Sequence, residues 1–219
     1  MMQQNTDFNW LRDNILLLGG AAEAAIARAI RALIERDSDL AETVISEDDA
    51  IDLLENQIDQ YCFDILTGNR SATVDLRFVI AVSRAAPMIE RIADHAVNIA
   101  KHVLRLIDEP TLKSYLHLSD LASIAQEMLI DGLDALTREN CELARQTIRK
   151  DDCADELYHH IYDDLVDMME RDPKTVRRAV ELLFIIKHLE RIADYVTNIC
   201  EMVIYLVEGR LIKHTKEAY

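Results

Sequence analysis

Glycine and proline are scarce, at five and three among 219 residues. With almost no alternating β-branched runs either, the chain has little from which to build strands and turns, and its abundant Ala, Leu, Ile, Glu, Asp and Arg favour an all-helical fold. The four cysteines, Cys62, Cys141, Cys153 and Cys200, show no CxxC spacing. They read as reduced packing residues, which sets aside a disulfide or zinc framework. No segment reaches about 18 uninterrupted apolar residues, so no transmembrane helix is expected. The opening MMQQNTDFNW lacks the basic-then-apolar order of a signal peptide. A soluble, cytoplasmic protein is the expectation. GxxxxGK[ST], GxGxxG and GxSxG are absent, and the seven histidines show no HExxH spacing, so the sequence offers no catalytic machinery and an enzyme is not expected. Positive charge is the last shortfall. Against 24 Lys and Arg stand 40 Asp and Glu, a formal net charge of -16. Such a chain repels nucleic acid and anionic membrane, and attracts cations and basic protein surfaces.

What the chain has is helical periodicity and a repeat. Apolar spacing near 3.6 predicts six helices, at about 7–36, 39–67, 73–107, 112–138, from the REN break near 140 to about 170, and 173–209. Pro87 falls inside the third as an expected kink. Asp172 offers an N-cap, Pro173 an N1 residue and Gly209 a stop for the sixth. ERIAD stands at 90–94 and again at 190–194. Overlaying 73–107 on 173–207 also matches Arg77 with Arg177, Asn98 with Asn198, Ile99 with Ile199, Val103 with Val203 and Leu106 with Leu206. Upstream, VISEDDAIDLL at 44–54 matches TIRKDDCADEL at 147–157 at an offset of 103. This is an internal duplication. Short connections make neighbouring helices antiparallel, so residues 1–110 and 111–219 each predict a three-helix bundle with helices roughly 45 Å long.

Two readings compete for the acidic residues. Glu90 and Asp94 share one helix face, as do Glu190 and Asp194, and Asp48, Asp52, Glu55 and Asp59 form a continuous row bordering the apolar stripe of the second helix. Stacked like charges cost a few tenths of a kcal/mol per pair on an isolated helix. A metal ion reverses that sign, because several carboxylates can bridge one or two ions. In the bland reading the rows are solvated faces, with Arg91 and Arg191 pairing Asp94 and Asp194. Glu156 and His159 form a lone ExxH, whereas a ferritin-like di-iron site needs two. A carboxylate-bridged metalloenzyme and a metal-free acidic adaptor therefore stay open as alternatives.

The repeated pattern resembles the PhoU family, regulators of bacterial phosphate uptake. The matching stretches are DDAIDLLENQID at 48–59, VDLR at 74–77, IERIADHAVNIAKHV at 89–103, LERIADYVTNICEMV at 189–203 and IYLVEG at 204–209. Together they cover essentially the whole chain. The resemblance implies two tandem three-helix bundles, often dimeric, with multinuclear iron or zinc clusters on ExxxD motifs in some members; carboxylates alone would equally accept manganese. It also implies a negative regulator linking the ATPase subunit of a phosphate transporter to a membrane sensor histidine kinase. Carried over by position, a first site would use Glu90 and Asp94 with Glu55 and Asp59, plus Asp48 or Asp52. A second would use Glu190 and Asp194 with Asp151 and Asp155. Tyr158 and Tyr162 stand where the first repeat has Glu55 and Asp59, and Lys101 corresponds to Glu201, so the two sites should differ in affinity. The row Asp152, Glu156, His159 and Asp163 could substitute if that helix were rotated.

Overall fold

The computed structural model describes residues 2–68, 76–112 and 115–209. Seven α-helices stand among them: α1 (Met2–Glu35), α2 (Ser38–Ser46), α3 (Asp48–Thr67), α4 (Leu76–Leu106), α5 (Tyr115–Arg138), α6 (Cys141–Arg171) and α7 (Val176–Glu208), the last entered through a 3-10 turn at Pro173–Thr175. The expected start of the third helix near 73 lies outside the described residues.

α1, α2–α3 and α4 pack as one antiparallel bundle, and α5, α6 and α7 as a second. The two join where α4 lies on α7 and α1 on α5. α4 and α7 run antiparallel, since His95 meets His188 while His102, further along α4, meets Glu181, further back on α7. In the motif helices Ile89, Ile92, Ala93 and Ala96 are fully buried, and so are their repeat equivalents Leu189, Ile192, Ala193 and Val196. One hydrophobic core runs through both bundles. The α4–α5 connection is held from both sides: Arg36 donates to Ile107 O and to Glu109 O, the latter at 2.8 Å, and Arg178 donates to Pro110 O at 2.8 Å.

The duplication extends to the turns. α1 and α5 each end on a non-glycine residue in the left-handed region, Arg36 at φ 60° and Glu139 at φ 53°. The next residue then reaches back five positions, Asp37 N to Ala32 O at 3.0 Å and Asn140 N to Ala135 O at 2.9 Å, which closes a Schellman-type cap. Asp37 and Asn140 at once become N-caps of the following helix, accepting from Leu40 N and Leu143 N. Glycine is therefore not needed at these turns. Asp172 caps as expected, but its side chain accepts from Lys174 N in the 3-10 turn. Gly209, at φ 69°, ends α7.

One helix expected from the sequence is two. The 39–67 stretch is interrupted at Glu47, where Ser46 Oγ donates back to Thr43 O at 3.0 Å and competes for a carbonyl of the last turn. Asp48 and Asp49 then open α3, where they favour the positive end of the helix dipole. In the second repeat Arg149 and Lys150 stand where the first has Ser46 and Glu47, and α6 runs through unbroken. Helix α4 continues through Pro87.

Gly19 is required by the α1–α5 crossing. A Cβ there would meet Leu133 Cδ1, with Cδ2 at 2.9 Å and Cγ at 3.1 Å, so the leucine would have to rotate and its Cγ give way as well. Alanine gains up to about 1 kcal/mol of helix propensity at an interior position, whereas overpacking costs about 1–3 kcal/mol. Gly19→Ala is expected to lower stability by about 1–2 kcal/mol in denaturant titration, with Leu133→Ala in the same chain recovering part of the loss.

Candidate functional site

The bundle geometry turns the acidic row of α3 toward the motif face of α4. Glu90 is half-buried, and that burial, followed by the charges of Asp94, Asp52 and Glu55, pushes its carboxyl up to about 7. Burial also raises Asp48, with Asp94 and Asp52 adding repulsion and Lys101 opposing. Glu55 is raised by burial and then by Asp59 and Asp52. Asp48, Asp52, Glu55, Glu90 and Asp94 thus form one repelling group spanning two helices. Asp59 is exposed and couples to it through Glu55.

The second repeat builds a smaller version between α6 and α7. Burial pushes Asp151 up to about 7, with Asp155, Asp194 and Glu190 adding to it. Asp194 is raised by burial and then by Glu190, against Arg191. The four residues carried over to this site therefore sit together. The alternative row does not join them: Asp152, Glu156, His159 and Asp163 are all exposed, so α6 is not rotated.

The two groups differ in how their charge is answered. Lys187, at the repeat position of Pro87, donates to Glu190 Oε1 at 2.8 Å and lies 5.4 Å from the ring centroid of Tyr158. Where Tyr158 takes the place of a carboxylate, the second site has also gained a cation. Arg191 pairs with Asp194 at 2.9 Å, as the solvated-face reading requires. Arg91 turns the other way, to Tyr195 Oη at 3.4 Å across the α4–α7 seam. The first site keeps the larger unanswered negative charge. An i, i+3 Lys187–Glu190 pair was readable from spacing; the turn of Arg91 was not, because its partner lies 104 positions away.

Between the sites the seam carries histidines. His95 Nδ1 and His188 Nδ1 are 2.9 Å apart, and His102 Nδ1 meets Glu181 Oε2 at 2.6 Å beneath Phe184. Burial, then the neighbouring His95 and His102, hold His188 down at about 4.

Carboxylate oxygens are the chemistry that a hard or borderline metal ion takes. Glu190 Oε2 is buried without a hydrogen-bond partner, Arg191 Nε standing 3.7 Å away, and carboxylate oxygens arrive from two helices at each site. Among the described residues no three His, Cys, Asp or Glu side chains are already arranged to hold an ion, so binding requires carboxylates to change rotamer.

The raised carboxyls fix the sign of a pH effect. Glu90 is favoured protonated in the folded state, so its stabilisation is complete below its ordinary 4.5 and is lost as pH rises through about 7. His188 works oppositely, stabilising above 6.5 and losing this as pH falls toward 4. Comparison of Glu90→Gln with wild type isolates the carboxyl. In chelator, the variant is expected to match wild type near pH 4.5 and to exceed it by about 1 kcal/mol at pH 8 in urea titration, the full shift being discounted for solvent screening of a half-buried group.

A family model described as the PhoU domain matches residues 15–103 and again 118–203. The phosphate-specific transport system accessory protein PhoU homolog of Pseudomonas aeruginosa is 34% identical over 213 residues, covering 97% of this chain and 88% of that protein. The Aquifex aeolicus homolog is 36% identical over 203 residues, covering 93% and 92%. Escherichia coli K12 PhoU is 32% identical over 212 residues, covering 97% and 88%. The crystal structure of PhoU from P. aeruginosa superposes with a TM-score of 0.89 at 34% identity, covering 94% of this chain and 99% of that one. That of the phosphate transport system regulatory protein PhoU from Streptococcus pneumoniae superposes with a TM-score of 0.88 at 30% identity, covering 95% and 99%. Two family domains, each ending in an ERIAD helix and together spanning most of the chain, place it plainly: the chain belongs to the PhoU family.

Proposed function

We propose that this protein is an accessory regulator of phosphate transport that restrains phosphate uptake and phosphate-starvation signalling when phosphate is plentiful, by protein contact and not by catalysis. The observation that carries the proposal is similarity along nearly the full length to relatives named phosphate-specific transport system accessory proteins. The charge of -16 suits docking onto basic surfaces, and no described helix is long and apolar enough to cross a membrane. Its contacts are the ATPase subunit of a phosphate transporter on one side and a sensor histidine kinase on the other, with the protein working as a homodimer in the cytoplasm.

The acidic groups are metal sites in this proposal. Glu90 and Asp94 with Asp48, Asp52, Glu55 and Asp59 hold one, and Glu190 and Asp194 with Asp151 and Asp155 hold the other. A bound iron, zinc or manganese ion would supply positive charge shared by two helices. The residues themselves do the rest: α3 and α4 present oxygen donors across one interface, α6 and α7 across the second, and Lys187 competes with any cation at Glu190. Affinity is therefore higher at the first site.

Deleting the gene is expected to raise a phosphate-starvation reporter in phosphate-rich medium, and the wild-type gene to restore repression; a reporter unmoved by the deletion sinks the regulatory reading. Elemental analysis of the dialysed, untagged protein tests the sites. Near-stoichiometric metal that falls separately in Glu90→Ala/Asp94→Ala and Glu190→Ala/Asp194→Ala supports them. Metal at background in wild type, with unchanged helix content in the variants, counts the acidic rows as solvated or partner-facing.

A further inference from the structure

A groove open to solvent runs between α1 and α3. Trp10 and Tyr61, with ring centroids 4.1 Å apart, wall one end, and the Arg28–Glu47 ion pair stands at the other. Two recesses of about 410 and 460 Å³ lie along it, the first between the helices with Leu17 and Leu54, the second on α3 beside Trp10 with Leu53 among Asn56, Gln57 and Gln60. Leu17 and Leu53 are 61% and 64% exposed. From position 10 to position 28 a helix rises about 27 Å, the length of roughly 18 helical residues.

The duplication shows the same face built with other side chains. At the 103-residue offset the core agrees: Ile15 with Leu118, Leu18 with Leu121 and Ile58 with Ile161 are all buried. The ion pair recurs with its charges exchanged, as Asp131 with Lys150 at 2.7 Å. Leu54 also recurs, as Leu157, whereas three groove residues do not. Leu17, Leu53 and Tyr61 correspond to Asp120, Glu156 and Asp164, all exposed. Isolated surface leucines need no explanation, but apolar residues gathered along one groove, on a face that is charged in the sister bundle, mark an interaction surface.

Charge selects the occupant. Arg28 and Glu47 neutralise one another, which leaves Asp64 as the net charge among the groove's lining residues. A second copy seated here would bring a second net negative lining to this one, so a basic partner is favoured at this face and a homodimer contact belongs to another. We propose that the groove docks a basic amphipathic helix of a partner protein, its apolar positions at i, i+3/4 and i+7 seated beside Leu17 and Leu53 and its Lys or Arg residues facing the acidic flank. This rests on the reading that the protein acts by protein contact, and is independent of its metal.

The probe is a fluorescently labelled peptide of about 18 residues with leucines on one helical face and lysines on the other, titrated with the full chain and followed by anisotropy. A scrambled peptide of the same composition is the control. Leu17→Asp/Leu53→Glu installs the second repeat's residues at exposed positions, so helix content and unfolding temperature should be unchanged. Wild type is expected to bind the amphipathic peptide, and the variant to bind it at least about tenfold more weakly. The variant carries two additional acidic side chains, so non-specific attraction of lysine would strengthen. Equal or tighter binding by the variant, equal binding of the scrambled peptide, or no binding by wild type overturns the proposal. A wild-type dimer that becomes monomeric in the variant without peptide binding makes a second copy the occupant, and overturns it too. In the deletion strain, loss of repression by the variant supports the groove; repression intact in the variant overturns it while leaving the regulatory reading standing.

Discussion

The packing of α4 against α7 is the contact on which the rest of the molecule depends. Each motif helix is committed on two sides at once. Ile92 and Ala93, like Ile192 and Ala193, are fully buried, while Glu90 and Glu190 emerge half-buried on the flanks. Apolar burial of that extent fixes helix rotation firmly, since a fully buried aliphatic side chain contributes about 1.5–3 kcal/mol. Repulsion among flanking carboxylates is weaker and cannot turn the helices away. The acidic groups are thus held together by a core indifferent to them, and their protonation records the strain.

The two halves have diverged around a common frame. Backbone devices are kept: the left-handed residues at 36 and 139, the N-caps that follow, the back-to-back ERIAD segments. Charges are not. Pro87 becomes Lys187 and Glu55 becomes Tyr158, so the second acidic group has a carboxylate fewer and an ion-paired lysine that the first lacks. Arg91 leaves its own repeat to cap Tyr195, whereas Arg191 stays with Asp194. Position by position the first bundle is the more negative at its acidic group and the more apolar along its outer groove. A duplicated fold has been specialised by side chains at positions the core does not constrain.

The seam between the halves is polar where a bundle interior is ordinarily apolar. His95 pairs with His188 and His102 with Glu181 along it, and His95 lies within the fields of Asp94 and Glu190. Elsewhere the junction is close-packed, as Gly19 against Leu133 shows.

The sequence by itself determined the helical class, the duplication, the helix ends at Glu35, Thr67 and Glu208 to within about a residue, and which carboxylates share a face, because capping chemistry and 3.6-residue periodicity are local. It missed the break at Glu47, a competition for one carbonyl too small to disturb the apolar pattern. Only the tertiary structure decided that the α3 row meets α4, that Asp151 and Asp155 and not Asp152 and Glu156 face α7, that Arg91 crosses the seam, and that one α-helical face is left apolar and open. Those outcomes depend on partners dozens to a hundred residues apart, whose rotation about each helix axis is fixed by the shared core and by nothing in the local chain.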